Sequence, residues 1–271
     1  MNTNNTLSQV RCFLLDMDGT FYLGEHLFEG AKEFIDLLER QDRGYLFLTN
    51  NSSRDSRQYV EKFSRLGLSI SRDKIMTSGE ATALHVQRQK PDARVFIVGT
   101  PSLENEFRER GLRVTEEGPE YAVLGFDTTL TYAKMWKLCD LVRAGVPYIA
   151  THPDFNCPTE TGFMPDIGAM IAFVRASTGR EPDLVVGKPN SLFVEYAAER
   201  TGVAVSEMCM IGDRLYTDIA LGVTAGIPTI LVLSGETRVD EVASSPHQPT
   251  YIFPDIQAVV NYLHSAQDLS T

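Results

Sequence analysis

An apolar run, Phe13-Leu14-Leu15, ends abruptly in Asp16-Met17-Asp18-Gly19-Thr20. A short apolar stretch of this kind reads as a buried strand. Packing gives such a strand no reason to run into two acids. Ionised carboxylates this close repel and need a cation or a shared proton between them. Acids at the carboxyl end of a central strand sit where open α/β sheets bind ligands. Gly19 lets the chain turn and lets its backbone approach a bound group. The plainer alternative is a strand-to-loop transition that happens to hold D-x-D-G.

Short apolar runs alternate with helical patterns along the whole chain. Strands are expected at Arg11–Leu15, Tyr45–Leu48, Ile75–Thr77, Arg94–Val98, Tyr121–Leu124, Pro147–Ala150, Leu184–Val186, Met208–Ile211, Thr229–Leu233 and Tyr251–Phe253. Helical spacing appears around Ala31–Leu38, Val60–Leu66, Ser102–Arg110, Thr131–Ala144, Met170–Val174, Ser191–Thr201, Thr217–Ala225 and Ile256–His264. The Pro-rich stretch from His152 to Pro165 reads as a loop. Such alternation implies a doubly wound parallel sheet with helices on both faces, an α/β fold. A length of 271 residues fits one large domain or two moderate ones.

Composition narrows the function. Apolar residues at 43% and charged residues at 23% are ordinary for a globular chain and exclude a disordered one. A net charge of −11 argues against a general nucleic-acid binder, which needs a basic face. The same field repels anions, so a phosphate substrate would need local cations or a metal. No apolar run is long enough for a membrane span, and the polar start MNTNNTLSQ lacks the character of a signal peptide. Cys12, Cys139, Cys157 and Cys209 form no C-x-x-C pair. They read as reduced, mostly buried thiols of a cytoplasmic protein rather than a zinc site.

Three further motifs each follow an expected strand. Thr49-Asn50-Asn51-Ser52-Ser53 offers hydroxyl, amide and backbone donors before a helix, a cradle for phosphate; the alternative is a helix cap made by Ser52 or Ser53. In Gly187-Lys188-Pro189 a lysine on a short stiff loop can offer a fixed positive charge to a phosphoryl oxygen; the alternative is a solvated surface lysine. In Gly212-Asp213-Arg214-Leu215-Tyr216-Thr217-Asp218 two acids straddle a strand-to-helix turn. Their hard oxygens suit Mg²⁺, unless Asp218 merely complements the helix N-terminus. Each signal is modest alone. Their order, and their shared position after strands, argue against chance.

With these four motifs in this order, the chain resembles phosphatases of the haloacid dehalogenase (HAD) superfamily. More narrowly it is similar to the class II, type A group of nucleotide phosphatases, 4-nitrophenylphosphatases and phosphoglycolate phosphatases. The resemblance covers essentially the whole chain. It implies a Rossmann-like core, residues 1–82 and 182–271, with an inserted C2-type α/β cap, residues 83–181. Asp154, Pro158, Gly162, Pro165 and Gly168 match a loop of that cap, and Asp166 departs from it, standing where many relatives have glycine.

The resemblance also implies roles. Asp16 is expected as the nucleophile forming an aspartyl-phosphate, and Asp18 as the acid that protonates the leaving oxygen and later takes a proton from water. Met17, Gly19, Thr49, Asn50, Asn51 and Lys188 are expected to bind the phosphoryl group, with Thr49 and Lys188 also in the catalytic set. Mg²⁺ is expected on Asp16, the backbone carbonyl of Asp18 and Asp213, with Asp218 acting through metal-bound water. The Thr20–Glu25 segment fits the short flap of the superfamily. His152 is a weak candidate base, Asp154 and Asn156 are candidate substrate contacts, and Trp136 reads as cap core or a cap–cap contact.

The expected function is therefore Mg²⁺-dependent hydrolysis of small phosphate monoesters. The expected partner is a small-molecule phosphate ester, with no nucleic-acid polymer and no membrane, and two copies pairing through the cap. A phospho-accepting receiver also combines a strand-end Asp, a Thr or Ser and a Lys, but it is shorter and lacks the second acid and the cap. A phosphomutase usually carries a helical cap before the second motif, where only about thirty residues lie here. A dehalogenase has no need of Asp18.

Overall fold

The computed structural model describes residues 6–159 and 161–268. In chain order the strands begin β1 Cys12–Leu15, β2 Tyr22–Leu23, β3 His26–Leu27, β4 Gly44–Thr49, β5 Ile75–Thr77, β6 Arg94–Val98, β7 Arg113–Val114 and β8 Tyr121–Leu124. They continue β9 Tyr148–Ala150, β10 Asn156–Thr159, β11 Gly162–Pro165, β12 Leu184–Val185, β13 Met208–Gly212, β14 Thr229–Val232 and β15 Tyr251–Phe253. The helices are α1 Ala31–Arg40, α2 Ser56–Arg65, α3 Ser78–Gln89, α4 Pro101–Glu109 and α5 Tyr132–Arg143, then α6 Ile167–Thr178, α7 Leu192–Thr201, α8 Ala220–Ala225, α9 Val239–Val242 and α10 Ile256–Asp268.

Contacts divide the chain into two compact units. The first comprises Met1–Leu48, Val60–Met76 and Lys188–Thr271; the second comprises Thr49–Tyr59 and Thr77–Gly187. The changeovers thus lie at 76/77 and 187/188, beside the 82/83 and 181/182 expected from sequence. Residues 49–59 also group with the second unit. Ser52 shows why: its Oγ lies 2.9 Å from Thr151 Oγ1 and accepts the Phe126 N–H at 2.9 Å.

The first unit is built on a six-stranded sheet in the order β15-β14-β13-β1-β4-β5. β1 runs parallel to both β13 and β4, with Leu15 opposite Ile211 on one side and Phe47 on the other. β14 continues the parallel pairing to β13 and β15. Parallel neighbours need crossovers, and helices supply them: α1 between β1 and β4, α2 between β4 and β5, α8 between β13 and β14. Every residue of β1, β13 and β14 is buried, the continuous apolar character of a sheet covered on both faces. Edge-to-face aromatic pairs, Phe13–Phe34, Phe21–Phe47 and Tyr22–Phe63, fill the space beside β1 and β4.

The chain starts at the centre of this sheet, moves outward one way through β4 and β5, and later resumes on the other side of β1 with β13. The order therefore reverses between β1 and β13. In an open parallel sheet such a reversal leaves a crevice at the carboxyl ends of the two strands, where ligands bind.

The second unit has a parallel five-stranded sheet in the order β12-β9-β8-β6-β7. Phe96, Leu124, Leu138, Val142, Tyr148 and Val174 lie in its buried core, between the sheet and α5 and α6. The expected loop at His152–Pro165 is in part ordered: β10 and β11 form an antiparallel hairpin with Cys157 opposite Met164. The helix expected over Thr217–Ala225 is a π-helical turn, Leu215–Ile219, followed by the short α8. Among the described residues, no helix is long and apolar enough to cross a membrane.

Candidate active site

Asp16 follows β1 directly and keeps its ladder, donating its N–H to Ile211 O at 2.9 Å. Asp213 follows β13, the neighbour across the reversal. The register brings the ends of both strands together, so two acids far apart in sequence leave the sheet side by side. After Asp16 the chain turns tightly: Phe21 and Tyr22 donate their N–H groups to Met17 O, and Gly19 donates to Tyr22 O. Gly19 sits at φ +88, a left-handed conformation that glycine adopts without penalty.

The π-helical turn brings in the third acid. Ile219 donates to Arg214 O five residues back, and Asp218 donates to the same carbonyl. This widened turn presses Asp218 against Gly212, where any side chain would overlap its carboxyl group. Asp218 Oδ2 in turn accepts the Arg214 N–H at 3.1 Å.

Asp16, Asp213 and Asp218 each offer an oxygen within 4.8 Å of the others, and among the described residues this is the one such group of acids, histidines or cysteines. Asp213 and Asp218 are 1% and 0% exposed. Asp213 accepts Thr20 Oγ1 at 3.3 Å on Oδ1 and the Glu236 N–H at 2.7 Å on Oδ2. Ser234 Oγ donates to Gly19 O at 2.8 Å and ties the turn to the loop beyond β14.

Lys188, 2% exposed, lies among these acids. Its Nζ donates to Asp16 Oδ1 at 2.5 Å, to Asp218 Oδ1 at 2.7 Å and to Leu48 O at 3.3 Å. Burial alone would weaken its hold on the proton, but the Asp16 and Asp218 carboxylates outweigh burial and hold the ammonium more firmly than in water. The sequence alternative of a solvated surface lysine is thereby excluded.

The Lys188 ammonium and the nearby Arg214 guanidinium, which Glu236 also engages, do not balance three carboxylates. Burial first, then the neighbouring Asp16 and Asp218, pushes Asp213 up to about 8. Burial also raises Asp218, against the pull of Lys188. Three clustered carboxyl groups that disfavour one another's ionisation, offering oxygen as their ligand atoms, fit a small hard divalent cation such as Mg²⁺.

The other expected residues fall as follows. Asp18 stands outside the converging trio, its side chain 55% exposed. Met17 is buried, so its own contribution is confined to the main chain. Thr49, Asn50 and Asn51 belong to the second unit by contacts. Asn51 donates its N–H to Thr49 Oγ1 at 3.2 Å, and its Oδ1 accepts Ser53 N–H and Oγ. Asn50 Nδ2 reaches both oxygens of Asp154, at 3.3 and 3.2 Å.

Neither Ser52 nor Ser53 caps α2. Asp55 does, its Oδ1 accepting the N–H groups of Arg57 and Gln58. His152 is no free base: it is fully buried, with Nε2 3.1 Å from Asp166 Oδ1 and Nδ1 3.2 Å from Thr151 Oγ1. Asp166 also accepts the Ile167 N–H at 2.7 Å, as the N-cap of α6. Sequence reasoning missed Asp55, although an Asp before a helical run is a cap signal. It also assigned no part to Lys62 and Tyr22, which hold Asp18.

Comparison with known proteins identifies the family. The family model of haloacid dehalogenase-like hydrolases matches residues 13–113, and a second, HAD-hydrolase-like model matches residues 185–259. The chain is 35% identical to the 5'-nucleotidase YutF of Bacillus subtilis, over 93% of this chain and 98% of that one. It is 34% identical to an acid sugar phosphatase of Staphylococcus haemolyticus, over 93% and 95% of the two chains. A crystal structure of 4-nitrophenylphosphatase from Thermotoga maritima superposes with a TM-score of 0.93, at 44% identity over 95% of this chain and 99% of that one. The glycerol phosphate phosphatase Rv1692 of Mycobacterium tuberculosis, solved in complex with magnesium, gives 0.86 at 33% identity over 93% and 78%. With matches of this extent to named phosphatases, the chain belongs to the haloacid dehalogenase-like hydrolases and is a phosphatase.

Proposed function

We propose that this chain is a Mg²⁺-dependent phosphomonoesterase that passes the phosphoryl group of a small ester to Asp16 and then to water. The observation that carries the reading is the Lys188 ammonium bridging Asp16 and Asp218, with Asp213 beside them. Asp16 attacks phosphorus in line, and the ester oxygen leaves as an aspartyl-phosphate forms. Lys188 holds Asp16 in place and balances charge on the transferring oxygens. Asp18 gives a proton to the leaving oxygen, then takes one from the water that cleaves the aspartyl-phosphate. Met17, Gly19, Thr49, Asn50 and Asn51 bind the phosphoryl oxygens. Asp16, the Asp18 carbonyl and Asp213 would hold Mg²⁺, with Asp218 beside them at one remove; when bound, the ion would supply a Lewis acid and screen the anions from one another.

In this reading the second unit is the cap, and it selects substrate through the loop bearing Asp154 and Asn156. The substrate is a small phosphate monoester, a nucleotide, a sugar phosphate, phosphoglycolate or 4-nitrophenyl phosphate; the names of the relatives support that class. The setting is the cytoplasm, supported by four free thiols, three of them buried. Two copies associate through the second unit, where exposed Tyr132, Trp136 and Phe173 line a groove of about 260 Å³.

Asp16→Asn tests the mechanism. It should abolish turnover, and rapid quenching of the wild type on labelled substrate should trap a hydroxylamine-sensitive phosphoenzyme that the variant lacks. Chelation should silence the enzyme, and Mg²⁺ should restore it. Wild-type turnover by Asp16→Asn, or full activity in chelator, would refute the reading.

A further inference from the structure

Asp18 emerges from the turn after β1 with more than half of its side chain in solvent, yet both carboxylate oxygens are engaged. Tyr22 Oη donates to Oδ2 at 3.2 Å, and Lys62 Nζ stands 3.6 Å from Oδ1. The same ammonium lies 3.8 Å from the centroid of the Tyr22 ring, a cation–π contact. The three groups form a closed triangle of aspartate, lysine and tyrosine.

Two members of that triangle are buried. Tyr22 is fully buried, meets Phe63 edge to face at 5.8 Å, and is pinned through its backbone to Met17 and Gly19. Lys62 is 7% exposed, although it lies on α2, whose neighbouring Glu61 and Ser64 are exposed. Lysines on surface helices ordinarily extend their ammonium into water, and desolvating one costs free energy that a half-exposed ion pair recovers only in part. A buried hydroxyl donor and a buried ammonium from different elements, facing different oxygens of one carboxylate, restrict its side-chain torsions.

We propose that Lys62 and Tyr22 are positioning residues that aim the Asp18 carboxyl for proton transfer. The inference rests on the reading of Asp18 as the proton carrier. A proton donor works only within hydrogen-bond reach of the leaving oxygen, and small misplacements cost large factors in rate. A floppy aspartate on an exposed turn would spend much of its time out of reach. The clamp matters most for esters whose leaving group needs a proton as the bond breaks. It matters little for 4-nitrophenolate, which departs as a stable anion.

The test compares kcat/KM of Lys62→Met and Tyr22→Phe on an alkyl phosphate and on 4-nitrophenyl phosphate. This ratio reports steps only through transfer to Asp16, so slow hydrolysis of the phosphoenzyme does not mask the effect. Each variant should lose about tenfold more on the alkyl ester than on the nitrophenyl ester, a fraction of the full value of a general acid. Tyr22→Phe keeps the ring and its packing, so it remains informative if Lys62→Met folds poorly; thermal midpoints check both. Asp18→Asn sets the upper limit of discrimination. Equal losses on both esters, no loss, or a gain would overturn the positioning role, while strong discrimination by Asp18→Asn would leave the reading of Asp18 intact. If Asp18→Asn fails to discriminate, the proton-carrier reading falls and this inference falls with it.

Discussion

Gly19 packs so tightly on Asp213 that a methyl group on its α-carbon would stand 2.5 Å from Asp213 Oδ2. Gly19 also holds φ +88, where an alanine is strained by about 1–2 kcal/mol. Gly19→Ala should therefore both destabilise the first unit and displace the acid that we assign to the metal. Urea unfolding should show a loss of about 2 kcal/mol or more, and activity should fall with weakened Mg²⁺ affinity. A variant with wild-type stability and metal dependence would contradict the packing.

Lys188→Met removes the ammonium from among three carboxylates. Turnover should fall by about a hundredfold or more, the scale of one charged contact to a transition state. In chelator the variant should melt well below the wild type, because buried acids lose their paired cation. Added Mg²⁺ should raise its melting temperature by more than it raises that of the wild type. Calorimetry with and without the ion reads this directly; an equal rise in both would argue against a shared site.

The Asp213 carboxyl, pushed up to about 8 chiefly by burial, sets a pH slope in the metal-free protein. Between about 4, the unfolded value, and about 8, the folded chain holds a proton that the unfolded chain has released. Stability from this group is therefore full at the acid end of that window and lost as pH rises through it. Mg²⁺ must displace the same proton, so its affinity should climb over the same range. Unfolding in chelator at several pH values, compared with Asp213→Asn, isolates the effect: the variant should have a flatter slope. A steeper slope in the variant would reverse the assignment.

Asp166 serves twice, as the cap of α6 and as the partner of buried His152. Asp166→Gly should cost about 2 kcal/mol or more, with the lost cap and an unpaired imidazole contributing together. Adding His152→Asn should recover part of it. A double-mutant cycle that proves strictly additive would show that the pair does not interact.

Most strands were legible because apolar runs in a covered parallel sheet leave little ambiguity. Ile75–Thr77, Tyr121–Leu124 and Tyr251–Phe253 lie where the pattern predicts them. The helix Ser78–Gln89 left little trace because its buried face is Ser78, Gly79, Ala81, Thr82 and Ala83, with Val86 as the one large apolar side chain. Small residues bury a helix closely without marking a hydrophobic stripe. The hairpin β10–β11 was hidden by Pro158 and Pro165 and by the exposure of β11. Asp16, Asp213, Asp218 and Lys188 could be picked out because acids and a lysine at strand ends conflict with burial. Lys62 gave no such conflict: next to the apolar stripe of Tyr59, Phe63 and Leu66 it reads as the solvent-facing side of an amphipathic helix, and only tertiary structure turns it inward.

The central strand carries a consequence for biosynthesis. Gly44, the partner of Cys12 on one side, is translated soon after it, but its other neighbour, Met208, is translated far later. Residues 77–187 form a nearly continuous unit that can condense in the interval, while the earlier strands wait with an open edge. The constellation around Asp16 cannot assemble until Asp218 has left the exit tunnel. A nascent chain stalled before that point should be inert, and its exposed β1 edge makes it a natural client for chaperones.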